Sequence, residues 1–198
     1  ADALTGQLWA ARRALRLSNR ELYRILRARE FLPAEEYAAL ARLTLERGAG
    51  PAPAGVPVVL SGIVPEPMSL LDAISAAGGL IVADDLAAVG RRVAPPLTDA
   101  DPYLRLARLI LGSPADSTRG DAMAARAEAL LALVRRGEAR GVIFYVVKFC
   151  EPELFYLPLT KQRLEAAGIA TLELEGEMTT SLPGQTVTRL EAFLETLR

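Results

Sequence analysis

The chain has 198 residues, of which 51% are hydrophobic, and its 23 Lys and Arg residues nearly balance its 24 Asp and Glu residues. This length predicts one domain with a sizeable core. The near-neutral charge gives no electrostatic footprint for nucleic acid, and the aromatic residues are too sparse to suggest one. We therefore expect no nucleic-acid partner.

The reactive side chains present in the sequence exclude several classes of catalytic and metal site. The sequence has no histidine, which excludes Ser-His-Asp catalysis, Cys-His catalysis and His-ligated zinc. Its single cysteine, Cys150, excludes an internal disulfide and fits a reducing compartment. No apolar run reaches transmembrane length and the first residues lack a signal-peptide pattern, so we predict a cytoplasmic protein with no membrane partner. Position 1 is not Met, which favours a fragment or trimmed form of a longer protein.

The first 48 residues are predicted to be helical. Apolar residues recur at helical spacing and predict one long helix over 4–29, with Arg12 and other arginines on a solvated face. Pro33 followed by acidic residues predicts a second helix that runs to about Arg47. If a preceding domain is missing, the apolar stripe of the long helix should be partly exposed or used for self-association at Leu8, Leu15, Leu22 and Ile25.

A change of pattern divides the chain. The segment 48–55 is rich in Gly and Pro and has the composition of a linker. We assign 1–48 to a helical segment, 49–56 to the linker and 57–198 to an α/β domain.

In the α/β domain, strands and helices alternate. Short apolar runs predict strands over 56–60, 80–83, 142–147 and 169–174. Helical patterns predict helices over 68–77, 102–111, 119–136, 153–167 and 186–197. This alternation predicts a four-stranded parallel sheet of flavodoxin or Rossmann type with helices on both faces. Right-handed crossovers and the long excursion between the second and third strands predict the strand order 2-1-3-4.

This order opens a crevice at the carboxyl ends of the first and third strands, where ligands bind in such sheets. Ser61 and Gly62 follow the first strand, where they form either a turn that binds an anion or an ordinary strand-to-helix turn. Cys150 lies three residues beyond the third strand. It is either a buried structural residue that packs as a small hydrophobic side chain, or a functional thiol that acts as a nucleophile or a metal ligand. No histidine accompanies it as a base, which favours a metal ligand over a nucleophile.

Two further polar pairs stand at element ends. Asp84 and Asp85 follow the second strand and are predicted to be turn residues and a helix cap. Gly184 and Gln185 begin the last helix, where free amides can meet an anion or a cluster sulfide, or simply start the helix.

Three segments together resemble the 2-hydroxyacyl-CoA dehydratase and benzoyl-CoA reductase family. They are the run from Lys148 through Cys150 to Glu153, the run from Gly168 to Glu175, and the run from Gly184 to Glu195. The strand ending in Ser61 and Gly62 and the segment from Gly79 to Leu86 are also similar to that family, so the resemblance covers nearly the whole chain.

The resemblance implies a specific chemistry. Members hold a [4Fe–4S] cluster through cysteines, pair with a homologous second subunit, and receive an electron from an ATP-hydrolysing iron–sulfur activator. They dehydrate an acyl-CoA substrate through a radical or reduce an aromatic ring. Cys150 matches a cluster-ligating cysteine. Ser61, Gly62, Gly184 and Gln185 are then expected to line the crevice around the cluster, which extends the resemblance by topology.

Two departures from the family pattern leave alternatives. Relatives carry a further α/β domain ahead of the long helix, and many have Asp-Asp-Leu-Cys where this chain has Ala87 at the cysteine position. A lone thiolate cannot hold a four-iron cluster. The chain is therefore predicted to be the C-terminal part of such a subunit, inactive alone. Alternatively, it is a cluster-free subunit that braces a catalytic partner, or an unrelated flavodoxin-like domain with a phosphate-bearing ligand at Ser61 and Gly62.

Overall fold

The computed structural model describes residues 1–93, 97–177 and 181–198. Its strands are β1 (Val56–Gly62), β2 (Gly79–Leu86), β3 (Gly141–Val147) and β4 (Ala170–Gly176). They form one parallel sheet in the order β2-β1-β3-β4. The predicted α/β fold class and strand order are confirmed.

Helices cover both faces of the sheet. In chain order they are α1 (Asp2–Ala10), α2 (Asn19–Ala28), α3 (Ala34–Arg47), α4 (Ser69–Ala76), α5 (Pro102–Leu111), α6 (Met123–Arg136), α7 (Glu151–Ala166) and α8 (Gly184–Thr196). Each helix predicted after residue 33 is present. In the described residues, no helix is long and apolar enough to cross a membrane.

The single long helix predicted over 4–29 is wrong. α1 ends at Ala10, Leu15 is extended and bridges Ala49, and α2 begins after Ser18. The break has a local cause, because Ser18 and Glu21 form a capping box in which each side chain bonds the other residue's backbone amide. This box starts a new helix in the middle of the apolar periodicity.

The predicted exposure of the apolar stripe is wrong at three of its four residues, and only Ile25 is partly exposed. Leu8, Leu15 and Leu22 are at most 1% exposed, because the break lets α1 and α2 fold back onto one face of the sheet. Together with β1, α4 and α8 they enclose the larger core. On the opposite face, α6 and α7 pack over Val142, Phe144 and Val146 of β3.

Arg12 is likewise not on a solvated face, since it is 1% exposed. Its Nε donates to the carbonyl of Ile81 over 2.9 Å, and one terminal nitrogen donates to the side-chain oxygen of Asn19. Asn19 in turn bonds the amide of Ile81 and the carbonyl of Gly79, each at 3.0 Å. These bonds occupy backbone groups on the outer edge of β2, which is otherwise open to strand pairing.

Candidate functional site at the carboxyl edge of the sheet

Polar residues occupy the last positions of the two neighbouring strands β1 and β2. Ser61 and Gly62 are the final residues of β1, paired with Asp85 and Leu86 of β2. The prediction that Asp84 and Asp85 form a turn and a cap is wrong, because β2 continues through both and leaves them 3% and 2% exposed. Buried carboxylates require partners, and the surrounding elements supply them.

Asp85 is the centre of a buried ionic network. Arg91, from the turn after β2, approaches its Oδ1 at 3.3 Å, and Arg126 of α6 bonds its Oδ2. Arg91 also contacts Glu153 of α7 at 2.8 Å and Asp116 at 3.1 Å. The network thus joins the ends of β1 and β2 to α6 and α7.

The charges in this network shift the pKa values of Arg91 and Glu153 in the direction that favours their ionised forms. Burial alone raises the pKa of Glu153, but Arg91 and Arg126 outweigh it and bring that pKa below its ordinary value. Burial alone lowers the pKa of Arg91, and Asp85 and Glu153 reverse this and raise it. Each ion is stabilised by the others, so removal of one member leaves a buried charge uncompensated.

The two predicted site residues on β1 take part in this network. The Ser61 hydroxyl donates to Asp85 at 3.1 Å and accepts from Arg126 at 3.3 Å, and the side chain is fully buried. The carbonyl of Gly62 accepts from Arg91 at 3.1 Å. These groups are committed to the network, and cofactor binding by Ser61 and Gly62 stays a prediction.

Cys150 lies immediately before α7, at its N-cap position, and is partly buried. The residue before it, Phe149, has a left-handed backbone (φ 65°) and is 90% exposed, so the chain turns sharply outward there. Glu153, in the first turn of α7, is held by Arg91, Arg126 and the Ser117 hydroxyl. The network therefore fixes the helix start that carries the only thiol.

Gly184 and Gln185 occupy a different position. Both are exposed in the first turn of α8, which packs on the sheet face opposite α7. They share the carboxyl edge of the sheet with Cys150, but the ionic network does not include them. Their role in a cofactor site stays a prediction.

The donor set can be tested against an iron–sulfur cluster. Among residues 1–93, 97–177 and 181–198, no three His, Cys, Asp or Glu side chains converge as a metal-binding group. Ala87, directly after β2, offers no ligand atom in its side chain, and its backbone amide donates to the carbonyl of Gly62 over 3.1 Å while its carbonyl accepts from Nε of Arg92 at 3.3 Å. The described residues therefore do not fit a whole cluster, while Cys150 fits a single ligand position.

Asp84 has a separate environment. Its carboxylate accepts hydrogen bonds from the Tyr23 hydroxyl at 3.0 Å and from the amides of Leu86 and Gly90 at 3.1 and 2.7 Å. Full burial raises the pKa of Asp84 to about 7, against the opposing effect of these three donors. This carboxyl links α2 to the end of β2 and titrates near neutrality.

This raised pKa predicts how stability varies with pH. A carboxyl whose folded pKa lies above its unfolded value of 3.8 stabilises the fold fully at acid pH and loses that contribution as the pH rises towards about 7. Unfolding free energy should fall by about 2 kcal/mol from pH 5 to pH 8, and Asp84→Asn should abolish most of this slope. Urea denaturation at each pH measures it. The exposed Asp72→Asn serves as control, and an equal slope in Asp84→Asn and wild type would refute the assignment.

Sequence reasoning missed Arg91, Arg126 and Glu153, although two of them carry a detectable signal. Arg126 falls on the stripe of α6 that buries Leu130 and Val134, four and eight residues later. Glu153 falls on the stripe of α7 that buries Leu157 and Leu164. A charge on the apolar stripe of a helix indicates a buried ion, which needs a partner of opposite sign.

Comparison with known proteins identifies the family of this chain. The family described as 2-hydroxyglutaryl-CoA dehydratase, D-component, matches residues 2–197, and the chain belongs to that family. It is 30% identical over 178 residues to the lactoyl-CoA dehydratase subunit beta of Anaerotignum propionicum, covering 87% of this chain and 48% of that protein.

Two further relatives carry related names. Identity is 32% over 184 residues with the (R)-2-hydroxyglutaryl-CoA dehydratase, subunit beta, of Acidaminococcus fermentans, covering 87% of this chain and 48% of that protein. The chain is 31% identical over 144 residues to the (R)-phenyllactyl-CoA dehydratase beta subunit of Clostridium sporogenes, covering 72% of this chain and 38% of that protein. The chain thus spans about half or less of the length of these relatives.

Proposed function

We propose that this chain forms the C-terminal α/β part of a β-type subunit of a 2-hydroxyacyl-CoA dehydratase. The reaction removes water from a 2-hydroxyacyl-CoA thioester and leaves the 2,3-unsaturated thioester. Family membership over residues 2–197 and three relatives named as dehydratase subunits support the proposal. The observation that carries it is the position of Cys150, a partly buried thiol at the carboxyl edge of the sheet.

In this proposal Cys150 is one ligand of a [4Fe–4S] cluster, and the remaining ligands come from outside this chain. Such a cluster supplies one-electron chemistry when it is bound. The contribution of this chain is to hold the thiol, because Arg91 and Arg126 fix Glu153 one helical turn away. Ser61, Gly62, Gly184 and Gln185 are proposed to line the surrounding crevice.

The proposal includes partners. By resemblance, these are a homologous second subunit, an ATP-hydrolysing iron–sulfur activator and the acyl-CoA substrate. An exposed apolar helix supports a partner subunit, since α5 has no buried residue and Tyr103 and Leu111 are 84% and 82% exposed. Apolar surface of this kind is typical of protein interfaces.

A second candidate is a cluster-free subunit that braces a catalytic partner. Ala87 favours it, because an alanine cannot ligate iron at the position where many relatives have cysteine. The retained Cys150 opposes it.

Dehydratase activity tests the proposal. The longest natural form of the protein would be purified without oxygen with its co-purifying subunit, then supplied with an ATP-dependent activator, lactoyl-, phenyllactyl- and 2-hydroxyglutaryl-CoA, and benzoyl-CoA as the alternative. Formation of an unsaturated thioester from one of the 2-hydroxyacyl substrates is expected. Turnover of benzoyl-CoA alone would contradict the proposed dehydratase function. So would a complex that contains iron but converts none of the four CoA thioesters.

A further inference from the structure

A cavity of about 700 Å³ lies beside the outer edge of β2, and one end of it reaches Asp85 and Arg91 of the ionic network. α1 and the turn after it form one side, α6 forms the other, and Val82 and Ala83 of β2 form the floor. Sites for small organic ligands have volumes of about 300–1,000 Å³. The cavity has the size of a ligand site, and the described residues that line it do not include Cys150, Ser61, Gly62, Gly184 or Gln185.

The charge around this cavity is positive and unbalanced. Arg12 is buried, and its partners among the described residues are neutral oxygens, those of Ile81, Leu17 and Asn19. Burial lowers the pKa of Arg12 to about 10, as expected for a cation without a carboxylate partner.

Two further arginines line the cavity from its solvent side. Arg13 donates to the carbonyl of Gly137 at 2.9 Å, and Arg136 of α6 is exposed. Within the described part of the chain, the ion pairs found do not include Arg12, Arg13 or Arg136. Three cations therefore face a space without a paired anion.

The acids that line the cavity do not neutralise these arginines. Asp84 is occupied by Tyr23 and two backbone amides, and Asp85 by Ser61, Arg91 and Arg126. The remaining wall is apolar, formed by Trp9, Val82, Ala129 and Leu133. A cavity with apolar walls and a cationic mouth is complementary to a ligand with an apolar body and an anionic end.

We propose that this cavity binds an amphipathic organic anion, with its apolar body against Trp9 and Leu133 and its carboxylate or phosphate beside Arg13 and Arg136. Trp9 is the single tryptophan of the chain, so its fluorescence reports on this cavity. The Trp9 ring is fixed edge-on against Tyr23, with ring centroids 6.0 Å apart. A ligand in the cavity should therefore change the Trp9 emission.

The test uses the purified chain and the fluorescent anion 8-anilinonaphthalene-1-sulfonate. We expect one saturable site detected by quenching of Trp9, with affinity about tenfold weaker in Arg136→Glu. The exposed neighbour Arg135→Glu is the matched control and should bind as wild type. Ala129→Phe, which fills the cavity, should abolish quenching, while Ala125→Phe on the exposed side of α6 should not.

Ligand chemistry is then resolved by competition. Octanoate or octyl phosphate should displace the probe, and whichever is stronger identifies the anionic group, whereas neutral octanol should displace it less. Three results would overturn the proposal. The first is an equal loss of probe affinity in Arg135→Glu and Arg136→Glu, and the second is quenching that persists in Ala129→Phe. The third is displacement of the probe by octanol as strong as by both anions. Thermal unfolding checks each variant, and the exposed Arg136→Glu and Arg135→Glu pair decides the question if Ala129→Phe fails to fold.

Discussion

Replacing Arg126 with methionine is expected to lower the free energy of unfolding by about 3–5 kcal/mol. The guanidinium is 2% exposed and contacts Asp85, Glu153 and the Ser61 hydroxyl. Methionine fills much of the space but leaves two buried carboxylates with one cation fewer. Urea denaturation at neutral pH measures the loss.

Arg135→Met provides the control for this prediction. Arg135 is the next arginine along α6 after Arg126 and is exposed, so its substitution should change the free energy of unfolding by less than about 0.5 kcal/mol. If Arg126→Met is no more destabilising than Arg135→Met, the ionic network does not stabilise the fold and does not fix the start of α7.

Gly62→Ala is expected to have the second-largest effect on stability. A Cβ at this position would lie 2.2 Å from the carbonyl oxygen of Tyr145, and the backbone has φ 151°, which residues with a side chain rarely adopt. β1 must move away from β3 to accept it, which also displaces the carbonyl that Arg91 binds. We expect a loss of about 3 kcal/mol in the free energy of unfolding, measured by urea denaturation.

Gly184→Ala is the matched control for Gly62→Ala. Nothing lies within 4 Å of a Cβ built at Gly184, which is the first residue of α8, so this substitution should be neutral or slightly stabilising. Wild-type stability in Gly62→Ala would mean that the ends of β1 and β3 are not packed as closely as described.

The fold of the α/β region could be predicted because its signals are local and mutually consistent. Each strand is a short apolar run, each helix has its own stripe, and the parallel order follows from the handedness of the crossovers. The N-terminal region differs, because the leucines of α1 and α2 keep helical spacing across a break. The local evidence against one helix was the capping box at Ser18 and Glu21, a signal weaker than the periodicity around it.

The candidate site was predictable only in part. Topology places Ser61, Gly62 and Cys150 at one edge of the sheet, and the structure joins them through Arg91 and Glu153. The burial of Asp84 and Asp85 could not be read from the sequence, since acidic residues at a strand end are usually exposed turn residues. The burial of Asp85 depends on cations 6 and 41 residues after it, and that of Asp84 on the hydroxyl of Tyr23, 61 residues before it. Sequence spacing does not reveal such pairs.

The most direct measurement is the iron and acid-labile sulfide content of the longest natural form of this protein, purified without oxygen. We expect about four irons per protomer, lost in Cys150→Ser and retained in Lys161→Ala of α7, which removes a half-buried ion pair with Glu173 of β4. Full iron content in Cys150→Ser would contradict the assignment of Cys150 as a ligand. A wild-type protein without iron would contradict the cluster proposal and favour the bracing subunit.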